Sequence, residues 1–207
     1  SDLILKMQKD IKLPAKKISL IQKIKSYADL TKLRLSSLVV ISALLGYLIA
    51  PGEADYLHLI FLFVGGFLIT GSSNAFNQVW ERDLDKLMKR TQNRPLPLGN
   101  LSVIESLVFA SLIGCAGLFL LWLVNDACAI LGALALALYV IVYTPLKTVT
   151  PFAVFIGAIP GSIPPMLGYV AISGEFGLEA GILFLIQFFW QFPHFWAICW
   201  KLDEDYK

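Results

Sequence analysis

The chain has 207 residues, 57% hydrophobic and 15% charged, with a mean hydropathy of +0.70. These values exclude an ordinary soluble domain, and a formal net charge of +2 gives no reason to expect a nucleic-acid partner. The composition points to an all-α, multi-pass transmembrane helical bundle.

Residues 1–34 form a Lys-rich lead-in in which Ile18, Ile21, Ile24 and Tyr27 recur near helical spacing. It lacks the apolar core and cleavage site of a signal peptide. Two readings are open, an amphipathic helix lying on an anionic leaflet or a disordered tail. Residues 35–207 read as one transmembrane domain, with six segments able to span at 36–52, 57–77, 103–124, 127–143, 150–172 and 180–200. The second span runs into NAFNQVWERDLDKLMKRTQNRPLPLG and continues as helix beyond the membrane, until Pro95, Pro97 and Gly99 break it. Ser102 with Glu105 predicts a capped start for the third. The fourth ends in VYTPLKTVTP, a short polar loop around Lys147. Three prolines in GAIPGSIPPMLGY predict a kinked or broken fifth helix lining a cavity. The sixth is aromatic, from Phe188 to Trp200, and ends in KLDEDYK.

Charge placement sets the orientation. The loops carrying Glu53 and Asp55, Asp126, and Glu175 with Glu179 hold no Lys or Arg. All 17 Lys and Arg fall in the first 34 residues, in 81–99, at Lys147, and at Lys201 and Lys207. The positive-inside rule therefore places the N-terminus and both acidic clusters on the cytoplasmic side of a bacterial inner membrane, or its matrix equivalent.

Asn77, Glu81 and Asp85 stand at i, i+4 and i+8, which sets one carboxamide and two carboxylates on a single helix face. Carboxylates beside lipid are costly unless a cation lies between them. Mg²⁺ suits such oxygen ligands and commonly shares them with a phosphate. The pattern predicts an intramembrane enzyme that handles a diphosphate. A second acidic cluster, Asp203, Glu204 and Asp205, ends the sixth span on the same side. Asp83 reads as a solvated cap. Lys89, Arg90 and Arg94 fit either a diphosphate site or the positive-inside rule, and the aromatic sixth span fits either lipid-facing packing or a pocket for a carbocation. His194 follows Pro193 among aromatics and reads as a packed interior histidine or as an iron-porphyrin ligand. The three cysteines lie within apolar segments without CxxC spacing and read as packing residues, and two distant histidines exclude the usual zinc patterns.

The stretch NQVWERDLDKLMKRTQNRPLP closely resembles the first motif of the UbiA superfamily of intramembrane prenyltransferases, whose general form is N-D-x-x-D-x-x-x-D followed by K-R-T-x-x-R-P. Gln78 and Glu81 replace the first two acids and Asp85 keeps the third. Those departures, with YTPLK at 143–147, Pro164–Pro165 with Gly168, and QFPHFWAICWKLDEDYK at 191–207, resemble the protoheme IX farnesyltransferase branch. The resemblance covers most of the chain after residue 27. It implies transfer of a farnesyl group from farnesyl diphosphate to a vinyl group of heme b, with release of diphosphate. It further implies Mg²⁺ on Asn77, Glu81 and Asp85, with Asp205 in a second metal motif. Lys89, Arg90, Arg94 and Lys147 would bind diphosphate, and His194 would serve the porphyrin. In other branches an Asp lies four residues before the last acid of the second motif. Lys201 stands there instead, with Asp203 as a substitute ligand. A downstream heme A synthase or heme-copper oxidase assembly is the implied partner.

Family members run on for roughly three more spans, so the chain is expected to be a fragment holding six of nine. Glu81 and the HFW–DEDYK text argue against a prenyltransferase for a quinone-precursor aromatic acid. A cation transporter would carry charges near mid-membrane on several spans, whereas here the acids gather at one rim.

Overall fold

A computed structural model describes Lys16 and residues 18–201. Among these residues the protein is helical, without a strand. Helix α1 (Leu20–Thr31) starts at Ser19, whose hydroxyl accepts from the Gln22 amide at 3.2 Å. It ends at Lys32, a non-glycine residue in the left-handed region at φ 50°. Helix α2 (Leu33–Ile49) leaves that residue bent by 45° from α1. Helix α3 (Tyr56–Asp85) is capped by Asp55, whose carboxylate accepts from the Leu57 amide at 2.7 Å. Its 30 residues reach about 45 Å, longer than a hydrocarbon core, so one end projects beyond the membrane. Helices α4 (Val103–Val124) and α5 (Asp126–Ala137) follow, and α5 continues through a π-helical turn, Leu138–Tyr143, into a single turn, α6 (Thr144–Leu146). Helices α7 (Ala153–Ser173) and α8 (Leu178–Lys201) close the described chain.

Five of these helices, taking Asp126–Leu146 as one, are long and apolar enough to cross a membrane. The bent α1–α2 pair raises the count to six, matching the sequence expectation. One local expectation is corrected and another is narrowed. Helix α3 stops at Asp85, ten residues before Pro95, because the following backbone folds into turns and the Thr91 hydroxyl donates to the Asp85 carbonyl at 3.0 Å. Of the kinked and broken alternatives for α7 the broken one is excluded, since the helix is continuous across Pro160, Pro164 and Pro165. One exposed carbonyl on it, that of Gly161, accepts from the Gln191 side chain at 3.2 Å. Ser102 does cap α4 through the Glu105 amide at 3.1 Å, but the Glu105 carboxylate turns to Tyr27 and Lys23, each at 2.7 Å.

Close backbone approach holds the bundle together, as expected where lipid removes the hydrophobic drive between helices. On α2, a Cβ at Gly46 would overlap the Pro165 carbonyl of α7; on α7, a Cβ at Gly168 would overlap the Ala43 carbonyl of α2. The Ser72 hydroxyl of α3 donates to the Ala110 carbonyl of α4 at 2.8 Å. One apolar core joins Tyr47, Leu62, Leu121, Leu131, Ile163 and Leu167, and a second, under the 86–101 segment, joins Leu30, Val79, Leu96 and Val103.

The two ends of the bundle differ as the loop charges require. At one end Tyr47 donates to the Asp55 carbonyl at 3.0 Å, Asn125 donates to the Val170 carbonyl at 3.0 Å, and Gly52 lies against Ile172. The acid-bearing loops therefore sit together there. The 86–101 segment and Lys147 meet at the other end.

Candidate active site

The projecting end of α3 carries the site. Asn77 and Asp85 are buried and Glu81 is half-buried. The Asn77 amide donates to Glu81 Oε2 at 2.7 Å, as the i, i+4 spacing allows. Asn77 Oδ1 accepts from Lys147 Nζ at 2.7 Å and from the Thr144 hydroxyl at 3.1 Å. The same Lys147 ammonium pairs with Glu81 Oε1 at 2.5 Å. On the other side, Arg94 Nη1 donates to both oxygens of Asp85 at 2.7 Å and stands 4.0 Å from Glu81 Oε2. The result is one alternating chain of charge, Lys147–Glu81–Arg94–Asp85.

Three elements deliver these groups. Helix α3 provides the acids, the 86–101 turns return Arg94 over the helix end, and the π-helical turn re-aims the end of α5 so that Thr144 and Lys147 face Asn77. In that turn the Thr144 amide and hydroxyl both serve the Tyr139 carbonyl, the hydroxyl at 2.8 Å. π-Turns inside helices commonly mark functional positions.

Lys32 was not singled out by the sequence reading. It lies on the rim between α1 and α2, within electrostatic reach of Arg94, Lys147, Glu81 and Asp85. Gln78, where the general superfamily pattern has Asp, is fully buried and bonds to the backbone of α1. Its amide donates to the Asp29 and Leu30 carbonyls at 3.2 and 2.9 Å.

Of the expected diphosphate ligands, Arg94 and Lys147 are in the cluster, while Lys89 and Arg90 are exposed on the turns after α3. Asp203, Glu204 and Asp205 lie outside the described residues. Asp83 is exposed and pairs with Lys86 at 2.8 Å. No group of three His, Cys, Asp or Glu side chains converges among the described residues. Two carboxylates and one carboxamide oxygen do. Asn77 Oδ1 and Glu81 Oε1 already meet on one cation, the Lys147 ammonium, so the donor set fits Mg²⁺, which uses few protein oxygens and completes its shell with water and phosphate.

Beneath the cluster lies a mostly apolar cavity of about 680 Å³. Asn74, one turn before Asn77, and Tyr143, one turn before Lys147, line its upper wall; Tyr139, Gln191, Trp190 and His194 line it further along. The Lys147 ammonium stands 5.2 Å from the Tyr143 ring centroid. His194 is exposed rather than packed inside, and its ring stacks on Trp190 with centroids 4.7 Å apart.

The profile of the UbiA prenyltransferase family matches residues 39–207. This chain belongs to that family. Its similarity is strong to proteins named protoheme IX farnesyltransferase. That of Christiangramia forsetii is 52% identical over 181 residues, covering 87% of this chain and 60% of the relative. That of Cytophaga hutchinsonii is 52% identical over 184 residues, covering 88% and 64%. The chain thus spans about three-fifths of the length of these curated relatives. Among solved structures, digeranylgeranylglyceryl phosphate synthase shares the fold at a TM-score of 0.73 and 24% identity, over 81% of this chain and 59% of that one. A UbiA homologue from Archaeoglobus fulgidus bound to GPP and Mg²⁺ shares it at 0.67 and 17% identity, over 87% and 65%. UbiA membership and the apolar helices make it an integral membrane protein.

Proposed function

We propose that this chain carries the prenyl-diphosphate site of an enzyme that transfers a farnesyl group from farnesyl diphosphate to a vinyl group of protoheme IX, giving heme O and diphosphate. The observation that carries the reading is the convergence of Asn77, Glu81 and Asp85 with Arg94 and Lys147 at the head of an apolar cavity that extends to His194. The identity to relatives named protoheme IX farnesyltransferase supports the choice of acceptor.

Asn77, Glu81 and Asp85 would hold Mg²⁺, with Asp203 and Asp205 as ligands for a second ion. When bound, the metal would neutralise charge building on the leaving diphosphate. Arg94 and Lys147 do the same from the protein side, because each is already oriented by an acid and needs no reorganisation as the C–O bond lengthens. Lys89 and Arg90 would reach the outer diphosphate oxygens from the loop. The farnesyl chain would lie in the apolar cavity, where Tyr139 and Tyr143 offer π faces to the allylic cation and water is scarce. The farnesyl carbon then bonds to the terminal vinyl carbon, and water supplies the hydroxyl that completes heme O, losing a proton. His194, open to the cavity and held flat by Trp190, would orient the porphyrin or ligate its iron. The basic end, with this site, would face the cytoplasm of a bacterial cell. A heme A synthase or heme-copper oxidase assembly would take the product.

The test is pigment extraction from membranes of a heme-O-deficient host expressing the full-length protein. Heme O is expected from wild type and not from Asp85→Ala; heme O at wild-type level in Asp85→Ala sinks the assignment. His194→Ala is expected to lower heme affinity and leave farnesyl diphosphate affinity and thermal stability intact. A stability loss with unchanged heme affinity would make His194 a packing residue.

A further inference from the structure

The left-handed residue between α1 and α2 has a cost and a support. A continuous helix would pair the carbonyls of Asp29, Leu30 and Thr31 with amides one turn ahead. The turn at Lys32 ends that pairing: the exposed Asp29 accepts from the Lys32 amide at 3.3 Å instead, while the buried Leu30 and Thr31 carbonyls need other donors, since an unmet buried carbonyl is expensive. Helix α3 reaches all three. Gln78 donates to Asp29 and Leu30 at 3.2 and 2.9 Å, and Asn74 reaches Thr31 at 3.5 Å and the Ser36 hydroxyl at 3.4 Å. Ser36 itself donates to the Thr31 carbonyl at 2.8 Å. Asn74 and Gln78 are 2% and 1% exposed, so water cannot substitute for them. Only a donor serves here. A carboxylate at position 78 would set oxygen against two carbonyl oxygens. The Gln78 side-chain oxygen has no partner, so the amide is kept for its N–H groups alone.

Asn74 and Gln78 flank Asn77 on α3, so the same helix end fixes the acids and the bend. We propose that Asn74 and Gln78 are positioning residues whose amides hold the end of α1 and the bend at Lys32 on the face of α3 that carries Glu81 and Asp85, and so direct the Lys32 ammonium toward that cluster as a further cation for the bound diphosphate. The inference rests on the proposed diphosphate site. It accounts for a polar pair buried on the face of α3 that carries Glu81 and Asp85 two turns further on, and for a lysine in a backbone region that L residues seldom adopt.

The experiment uses the full-length protein in detergent, with inorganic diphosphate plus Mg²⁺ as probe. Lys32→Gly keeps the left-handed backbone and removes the ammonium. Gln78→Met keeps the volume and removes the donor. Each is expected to weaken diphosphate binding by about tenfold with the fold retained, and the double variant to bind no more weakly than either. Additive losses, or wild-type affinity in either single variant, overturn the proposal. Should Gln78→Met fail to fold, Asn74→Ala replaces it in the same cycle under the same criteria. If wild type does not bind diphosphate, the functional reading fails by itself. The clamp is then judged by amide exchange at residues 33–36, where faster exchange in the amide variant sustains it and unchanged exchange overturns it.

Discussion

Lys147 Nζ lies 2.5 Å from Glu81 Oε1, joining the end of the fourth span to the end of the second. The lysine side chain is 23% exposed and the glutamate 16%, so the pair is shielded and geometrically fixed. A cation held this way is ready for an anion. Lys147→Gln is expected to weaken diphosphate binding by about tenfold or more, with Lys147→Arg recovering only part of it, because a planar fork cannot occupy the narrow position between Asn77 and Glu81. Titration with inorganic diphosphate and Mg²⁺ checks this; equal affinity in Lys147→Gln removes Lys147 from the site.

Asp85 and Arg94 form the more buried half of the cluster. Removing one member of such a pair strands the other. Asp85→Ala is expected to lower unfolding stability by about 3 kcal/mol in addition to abolishing transfer. Asp85→Ala with Arg94→Ala should regain part of the stability and none of the activity. Thermal unfolding of the two variants in detergent decides it, and a double variant less stable than the single would show that Arg94 has other structural partners.

Glu81 serves the site through its charge. Glu81→Asp is expected to keep some heme O formation and Glu81→Gln very little. Equal product from Glu81 and Glu81→Gln proteins in the pigment assay would mark Glu81 as a solvated helix cap.

Much of this was legible in the sequence, for identifiable reasons. Apolar run length gave the spans, loop charge gave the two ends, and the i, i+4, i+8 spacing gave the Asn77–Glu81 contact. All are properties of one helix. What was not legible depends on contacts between helices. The role of Gln78 could not be read because its partners are backbone carbonyls of α1, which carry no sequence signal. Lys32 was hidden among lysines that the positive-inside rule already explained, and only its φ sets it apart. The π-helical turn has no composition signature, so Tyr139 and Tyr143 read as ordinary span residues. Pro95 misled, because α3 stops before it, and of the two readings of the α7 prolines the broken helix fails because neighbouring helices support its backbone.

Gly168 tests the packing that sets the cavity. A Cβ there would meet the Ala43 carbonyl and the Tyr47 amide of α2, both backbone, which cannot rotate aside. Gly168→Ala must push α2 from α7, and both helices line the cavity. A loss of roughly 2–3 kcal/mol or more is expected, since overpacking against backbone is relieved only by moving whole helices. Gly181 on α8 is the matched control, because a Cβ there meets nothing within 4 Å. Gly181→Ala should be neutral or stabilising by up to about 1 kcal/mol from helix propensity alone. Thermal unfolding of both variants in one detergent separates the effects. Equal stability in the two would mean that α2 and α7 do not touch at Gly168, and that the cavity wall is set by other contacts.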